Sequence, residues 1–511
     1  MSDIQGNNRI AKNTLFLYIR LAFILFVSLY TTRVVLNVLG VVDYGVYNVV
    51  AGFVSLFSFL NASMSTSTQR FYNYKKGVEG NVGMVEVFNT SITIQIIIML
   101  GTLILLESFG LWYINYRMVI PADRLTAANW LFQFSVIHLL FVIMQIPFAG
   151  AVIACEKMDY YALVGVVDVV LKLAIVLALP YVDVDKLVFY GSFLMISGIV
   201  VFLMYVVFSR IKFNFICLRF SFNKTLFKEM LSFTGWTVFD SVAYMLKGQG
   251  INVLLNAFCG PVVNAARGVA YQVTNALSGF QANVVTAFKP QLIQSYAEKN
   301  KQRVKALMYS SSKISYVLLG TFSIPIIVEI NYILNLWLKG VVPEYTIPFT
   351  IIVLINMTIS SLNTPLSVTA QATGNIRNYQ IIRNLFTLSV IPISWVALKM
   401  EFDPIAVFII SFIFTLIVHP VSMVLLHKVF SYSYRDYCWK VLWPCFLFTI
   451  LAPIAPFVIK SFMAEGVVRL VVITFMSVIL SVFISYYIVF DKSEKRIVNK
   501  WLSNFMSKIK K

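Results

Sequence analysis

Residues 125–154 read LTAANWLFQFSVIHLLFVIMQIPFAGAVIA. The run carries no Lys, Arg, Asp or Glu, and at about 1.5 Å per residue a helix of this length outreaches a hydrocarbon core of about 30 Å. It reads as a transmembrane helix. Working outward, comparable runs lie at 13–39, 44–68, 85–111, 161–179, 187–209, 231–258, 264–288, 312–336, 347–370, 379–398, 404–426, 441–460 and 467–490. The fold class expected is therefore all-α integral membrane, with about fourteen spans and no sizeable soluble domain.

Composition agrees. Of 511 residues, 59% are hydrophobic and 12% charged, where an ordinary soluble domain carries about twice that charge fraction. The formal charge of +19 would suit a nucleic-acid partner only if the basic residues formed a stripe with interleaved aromatics. They fall instead in short segments between apolar runs, so no nucleic-acid partner is expected. Cys155, Cys217, Cys259, Cys438 and Cys445 show no CxxC and no metal spacing, and His138, His419 and His427 stand far apart. Neither a metal site nor a catalytic centre is expected, and no Walker A motif is present.

Residues 1–12 are polar and include Arg9 and Lys12. The first apolar run is too long for a signal peptide and reads as the first span. Lys75, Lys76, Lys157, Arg210, Lys212, Arg219, Lys299, Lys301, Arg303, Arg377, Lys428 and the basic tail occupy alternate connections, which places that side and both termini in the cytoplasm. The opposite loops are short and hold Asp43, Asp123, Asp183, Asp185, Glu344, Glu401, Asp403 and Glu465.

The chain repeats itself. Residues 146–148 (IPF), Ala154 and 160–163 (YYAL) are echoed without a gap by 364–366 (TPL), Ala372 and 378–381 (NYQI). Leu36-Asn37 and Gly45-Val46-Tyr47 are echoed by Leu255-Asn256 and Gly268-Val269-Ala270-Tyr271. Two six-helix lobes follow, 1–209 and 231–428, with a cytoplasmic amphipathic connector at 210–230 and a C-terminal helix pair with a basic tail at 429–511. Duplicated helical halves are a transporter architecture.

Ionisable groups inside a bilayer cost at least about 2.5 kcal/mol each, so those present need a reason. Asp168 and Lys172 sit one turn apart and read as a structural ion pair. Arg20 and Arg33 lie on the first span; Arg33 either snorkels to the outer interface or faces a cavity. Trp236, Asp240, Tyr244 and Lys247 share one face of the seventh span. Arg267, Tyr271, Asn275 and Ser278 do so on the eighth, and Asn356, Ser360, Asn363, Ser367 and Gln371 on the tenth. These faces are expected to line a water-filled, cationic cavity. The run 61–70 (NASMSTSTQR) is either a cytoplasmic gate or a helix contact.

Residues 33–40 (RVVLNVLG) with 43–47 (DYGVY), 260–273 (GPVVNAARGVAYQV) and 365–374 (PLSVTAQATG) resemble the polysaccharide (O-antigen type) flippases of the multidrug/oligosaccharidyl-lipid/polysaccharide exporter superfamily. The resemblance implies alternating access and transfer of an undecaprenyl-pyrophosphate-linked oligosaccharide from the inner to the outer leaflet of a bacterial inner membrane. It implies no enzymatic activity. Arg20, Arg33, Lys247 and Arg267 would bind the pyrophosphate, with Asp240, Tyr244, Tyr271, Asn275, Asn356 and Asn363 as polar lining. Partners would be the lipid-linked oligosaccharide, membrane lipids and polysaccharide assembly machinery. No cofactor is implied; Na+, H+ or the membrane potential would drive transport. Asp240 lies where some relatives bind a coupling cation, but 379–398 lacks the acidic partner such a sodium site would want. A drug/cation antiporter of the same superfamily is the nearest alternative and would need an acidic cavity. A membrane polymerase or ligase would need larger outer loops.

Overall fold

A computed structural model describes residues 2–499 except 56, 119, 218–222, 339–341, 493 and 497–498, and except the side chains of 2–12, 25, 28–30, 32, 33, 36, 37, 41, 48, 55, 58 and 261. The described chain is all-α, without a strand. Among the described residues ten helices are long and apolar enough to cross a membrane, including Ala122–Ala154, Met158–Tyr181, Lys186–Lys212, Lys301–Val328, Thr346–Thr373, Arg377–Lys399, Ile405–Val429 and Val467–Val489. Phe462, Val468 and Phe475 are 86%, 70% and 66% exposed, which only a lipid environment makes tolerable.

The expected first and second spans are joined as one helix, Ser2–Ser55, turned at Gly40. The second continues into Ser58–Glu79 with a bend of 43° that the apolar run at 44–68 does not announce. Gly52 and Ser55 precede the bend, a pairing that weakens a helix. The seventh and eighth spans likewise form one helix, Lys224–Ala297, turned at Gly260. Neither arm is among the ten apolar helices, because each carries one of the polar faces.

The repeat extends to backbone conformation. Gly40 (φ 77°, ψ 171°) and Gly260 (φ 80°, ψ −179°) adopt the same conformation at corresponding turns. Only glycine enters that region without strain. Gly80 and Lys299 are both left-handed, as are Glu156 and Gly374, at the ends of corresponding spans. Asp403 stands at the same separation from Asp185 as Pro365 does from Pro147. Asp185 caps the sixth span by accepting from the Leu187 and Val188 amides, and Asp403 accepts from the Ile405 amide. Pro365 cannot donate to residue 361, and the tenth span is accordingly divided into Thr346–Ser360 and Asn363–Thr373.

The helices group into two compact units, Asn13–Ser241 and Val242–Lys511 with Met1–Lys12. The first encloses an apolar core of Val50, Met64, Leu106, Leu131, Phe132, Ile143 and Leu179. Loops at one end of it are tied by Arg124, which bonds Asp43 and Asp185 at 2.6 Å each. In the second, the last span is fastened to the ninth at both ends. Arg469 meets the fully buried Glu329 at 2.8 Å, and Lys313 meets Glu494 at 2.5 Å.

The sixth span ends at Lys212 and the seventh begins at Lys224, so the helices take in both ends of 210–230. Arg219 lies outside the described residues. Phe213, Phe215 and Ile216 are buried rather than laid along a leaflet. Phe215 packs on Tyr72, and the Cys217 carbonyl accepts from Asn89.

Candidate functional site: polar clusters within the two units

The fifth span presents Tyr161, Gly165, Asp168 and Lys172 at steps of four, three and four, one helical face. Arg20 from the first span lies on that face, its guanidinium 4.5 Å from the Tyr161 ring centroid. Gly165 is what lets it approach, since a Cβ there would collide with the Arg20 Nε. That Nε is buried without a hydrogen-bond partner. Lys172 bonds Asp168 at 2.8 Å, so the pair carries no net charge. His138 from the fourth span stands within electrostatic reach of both, packed against Gly198. Its spacing from the other histidines gave no hint of this role, although Tyr161, Gly165, Asp168 and Lys172 mark the face it joins. The Arg33 side chain lies outside the described residues.

In the other unit Arg267 is held by neutral groups. It donates to the Gly248 carbonyl at 2.8 Å and to Asn252 Oδ1 at 3.2 Å, and it stands 4.7 Å from the Tyr271 ring centroid. Its Nε is buried and unbonded. Lys247, one residue before Gly248, has no partner among the described residues. Two cations therefore stand near one helix turn with no carboxylate on either. Tyr244 (72% exposed) and Asn275 are exposed, and Asn356 is half-buried with Oδ1 unbonded. Asn363 Oδ1 accepts from His419 Nδ1 of the twelfth span at 2.8 Å, a partner that only tertiary packing reveals. Asp240 belongs to the unit that ends at Ser241, whereas Tyr244 and Lys247 belong to the next. Lys313, buried and ion-paired, was missed because it begins an otherwise apolar run.

The run 61–70 is a helix contact. Ser63 bonds Ser241 at 2.9 Å and the Thr237 carbonyl at 3.2 Å, and Thr237 returns a bond to the Ser63 carbonyl. One turn on, Ser67 reaches the Met230 carbonyl at 3.5 Å. Small hydroxyl residues allow such close packing and satisfy themselves across it. Among the described residues no group of three His, Cys, Asp or Glu side chains could hold a metal.

The groups that such an arrangement can bind are anions. An unneutralised guanidinium and ammonium in low dielectric strongly favour a phosphate or pyrophosphate, and disfavour a cationic guest.

No family model and no curated protein matches the sequence. Solved structures do match in fold. An outward-facing multidrug resistance MATE family transporter of the MOP superfamily superimposes with a TM-score of 0.73 at 13% identity, over 83% of this chain and 96% of that one. A MATE in the bent conformation gives 0.72 at 13%, over 84% and 98%. A MOP superfamily transporter from Pyrococcus furiosus, described by the reverse polarity of its binding pocket, gives 0.69 at 13%, over 83% and 96%. The chain thus has the MATE-type fold, that of multi-pass membrane proteins.

Proposed function

We propose that the chain is a flippase, moving an undecaprenyl-pyrophosphate-linked oligosaccharide from the inner to the outer leaflet by alternating access. Transport as such is supported by the MATE-type fold. The anionic cargo is supported by one observation above the others: Arg267 and Lys247 sit near one turn with only neutral partners. In the Pyrococcus furiosus transporter of the same fold, a binding pocket of reverse polarity likewise suggests a different function. The resemblance at 33–47 and 260–273 supplies the lipid-linked glycan.

Arg20, with its aromatic rather than acidic neighbour, is the corresponding cation of the first unit. Asp240 is a polar lining group; without an acid on the eleventh span, the membrane potential is the preferred driving force over Na+ or H+. Carrying one net negative charge outward gains about 2.3 kcal/mol per 100 mV. The setting is a bacterial inner membrane with both termini cytoplasmic, beside a polysaccharide assembly machinery.

The test is deletion of the gene followed by analysis of lipid-linked intermediates. An oligosaccharide-pyrophosphate lipid accumulating on the inner leaflet is expected. Unchanged lipid pools together with retention of cationic dyes would favour the drug/cation antiporter, the reading suggested by the multidrug MATE likeness alone.

A further inference from the structure

A cavity of about 500 Å³ opens between the start of the fifth span and the end of the sixth, away from the polar clusters described above. Its floor is apolar: Leu163 is 51% exposed, and the Tyr160 and Phe208 rings stack 3.6 Å apart at 8°. The Tyr160 hydroxyl is turned away to the Met204 carbonyl, so the aromatic face is what the cavity sees. Lys157 and Lys212 stand at the rim, both exposed and neither ion-paired among the described residues. Asp159 shares the rim and offsets one of them. The rim keeps one net positive charge over an apolar floor, at the level where two spans end.

An acyl chain fits the floor and a phosphodiester fits the rim. The geometry points to a binding site for one anionic phospholipid, its phosphate between Lys157 and Lys212 and its chain along Leu163 and Phe208. A basic notch between helix ends is a known way of holding acidic headgroups, each lysine near the surface adding about a factor of five in affinity. The occupant is a structural lipid rather than transported cargo. It does not depend on the flippase reading; only the leaflet, the inner one, depends on the orientation set by the basic loops.

The experiment is native mass spectrometry of the full-length protein in detergent, titrated with phosphatidylglycerol or with phosphatidylcholine of the same chains. The wild-type protein is expected to retain phosphatidylglycerol in preference. Lys157→Gln with Lys212→Gln should weaken it about thirtyfold, while Lys157→Arg with Lys212→Arg keeps it and Asp159→Asn tightens it. Equal retention of both lipids by the wild-type protein overturns the proposal and needs no variant. So does unchanged binding by the glutamine pair. Displacement by millimolar inorganic phosphate would assign the site to a free anion instead.

Discussion

At the scale of single residues, the proposed function rests on the cations. Arg267→Gln should lower transport of a pyrophosphate lipid at least tenfold while leaving folding intact, since its partners are a carbonyl, an amide and a ring rather than a carboxylate that would be stranded. Initial-rate measurement in vesicles checks this. Lys313 behaves oppositely: it is buried, and Glu494→Gln should cost about 3 kcal/mol because the ammonium loses its main counter-charge. Adding Lys313→Met should restore most of the loss in a thermal unfolding assay. Asp185 adds a pH dependence. Burial raises its carboxyl, but the Arg124 bond and the Val188 amide outweigh this and hold it below the ordinary carboxylate range. The Asp185 arm of the clasp is therefore intact at neutral pH, and its contribution is lost only as pH falls below the ordinary value of 3.8 and through the lowered one. Arg124→Met should flatten the acid limb of a stability profile. The Asp168–Lys172 pair was legible because a one-turn spacing is local. The Arg267–Gly248 and Asn363–His419 bonds were not, because a carbonyl on a facing helix leaves no mark in composition or period.

At the scale of elements, hydropathy located the spans and said little about how they join. The apolar runs are lipid-length, so their number was readable. The turns at Gly40 and Gly260 fall in the short gaps between apolar runs without a polar loop, and the φ values of 77° and 80° give their conformation. Gly260→Ala should destabilise by about 1–2 kcal/mol, although open space surrounds the position, because the strain lies in the backbone. Gly40→Ala should match it, and an equal cost at the two sites, read from unfolding midpoints, would reflect the shared conformation. The Ser63–Ser241 contact shows the same limit. The polar run was evident in the sequence, but its partner, more than a hundred residues away, was not. The connector's packing was hidden for a related reason: its mix of aromatic and basic residues does not name Tyr72 as the partner of Phe215.

At the scale of the whole molecule, each half repeats the other in its turns and its helix caps, but not in its broken spans: the tenth is divided, whereas its counterpart Leu125–Ala154 is continuous. The charged groups depart from that symmetry. Arg20 rests on an aromatic ring beside a neutralised pair, while Arg267 reaches the Gly248 carbonyl next to Lys247 and no acid among the described residues meets either cation. The most direct test is reconstitution of the wild-type protein and of Lys247→Glu with Arg267→Glu into vesicles containing a pyrophosphate-linked oligosaccharide lipid, with transfer followed under an imposed potential. Transfer by the wild-type protein, accelerated when the compartment of origin is negative and abolished by the charge reversal, is the expected result. Undiminished transfer by the reversed variant, or accumulation of a cationic dye in place of lipid transfer, would contradict it.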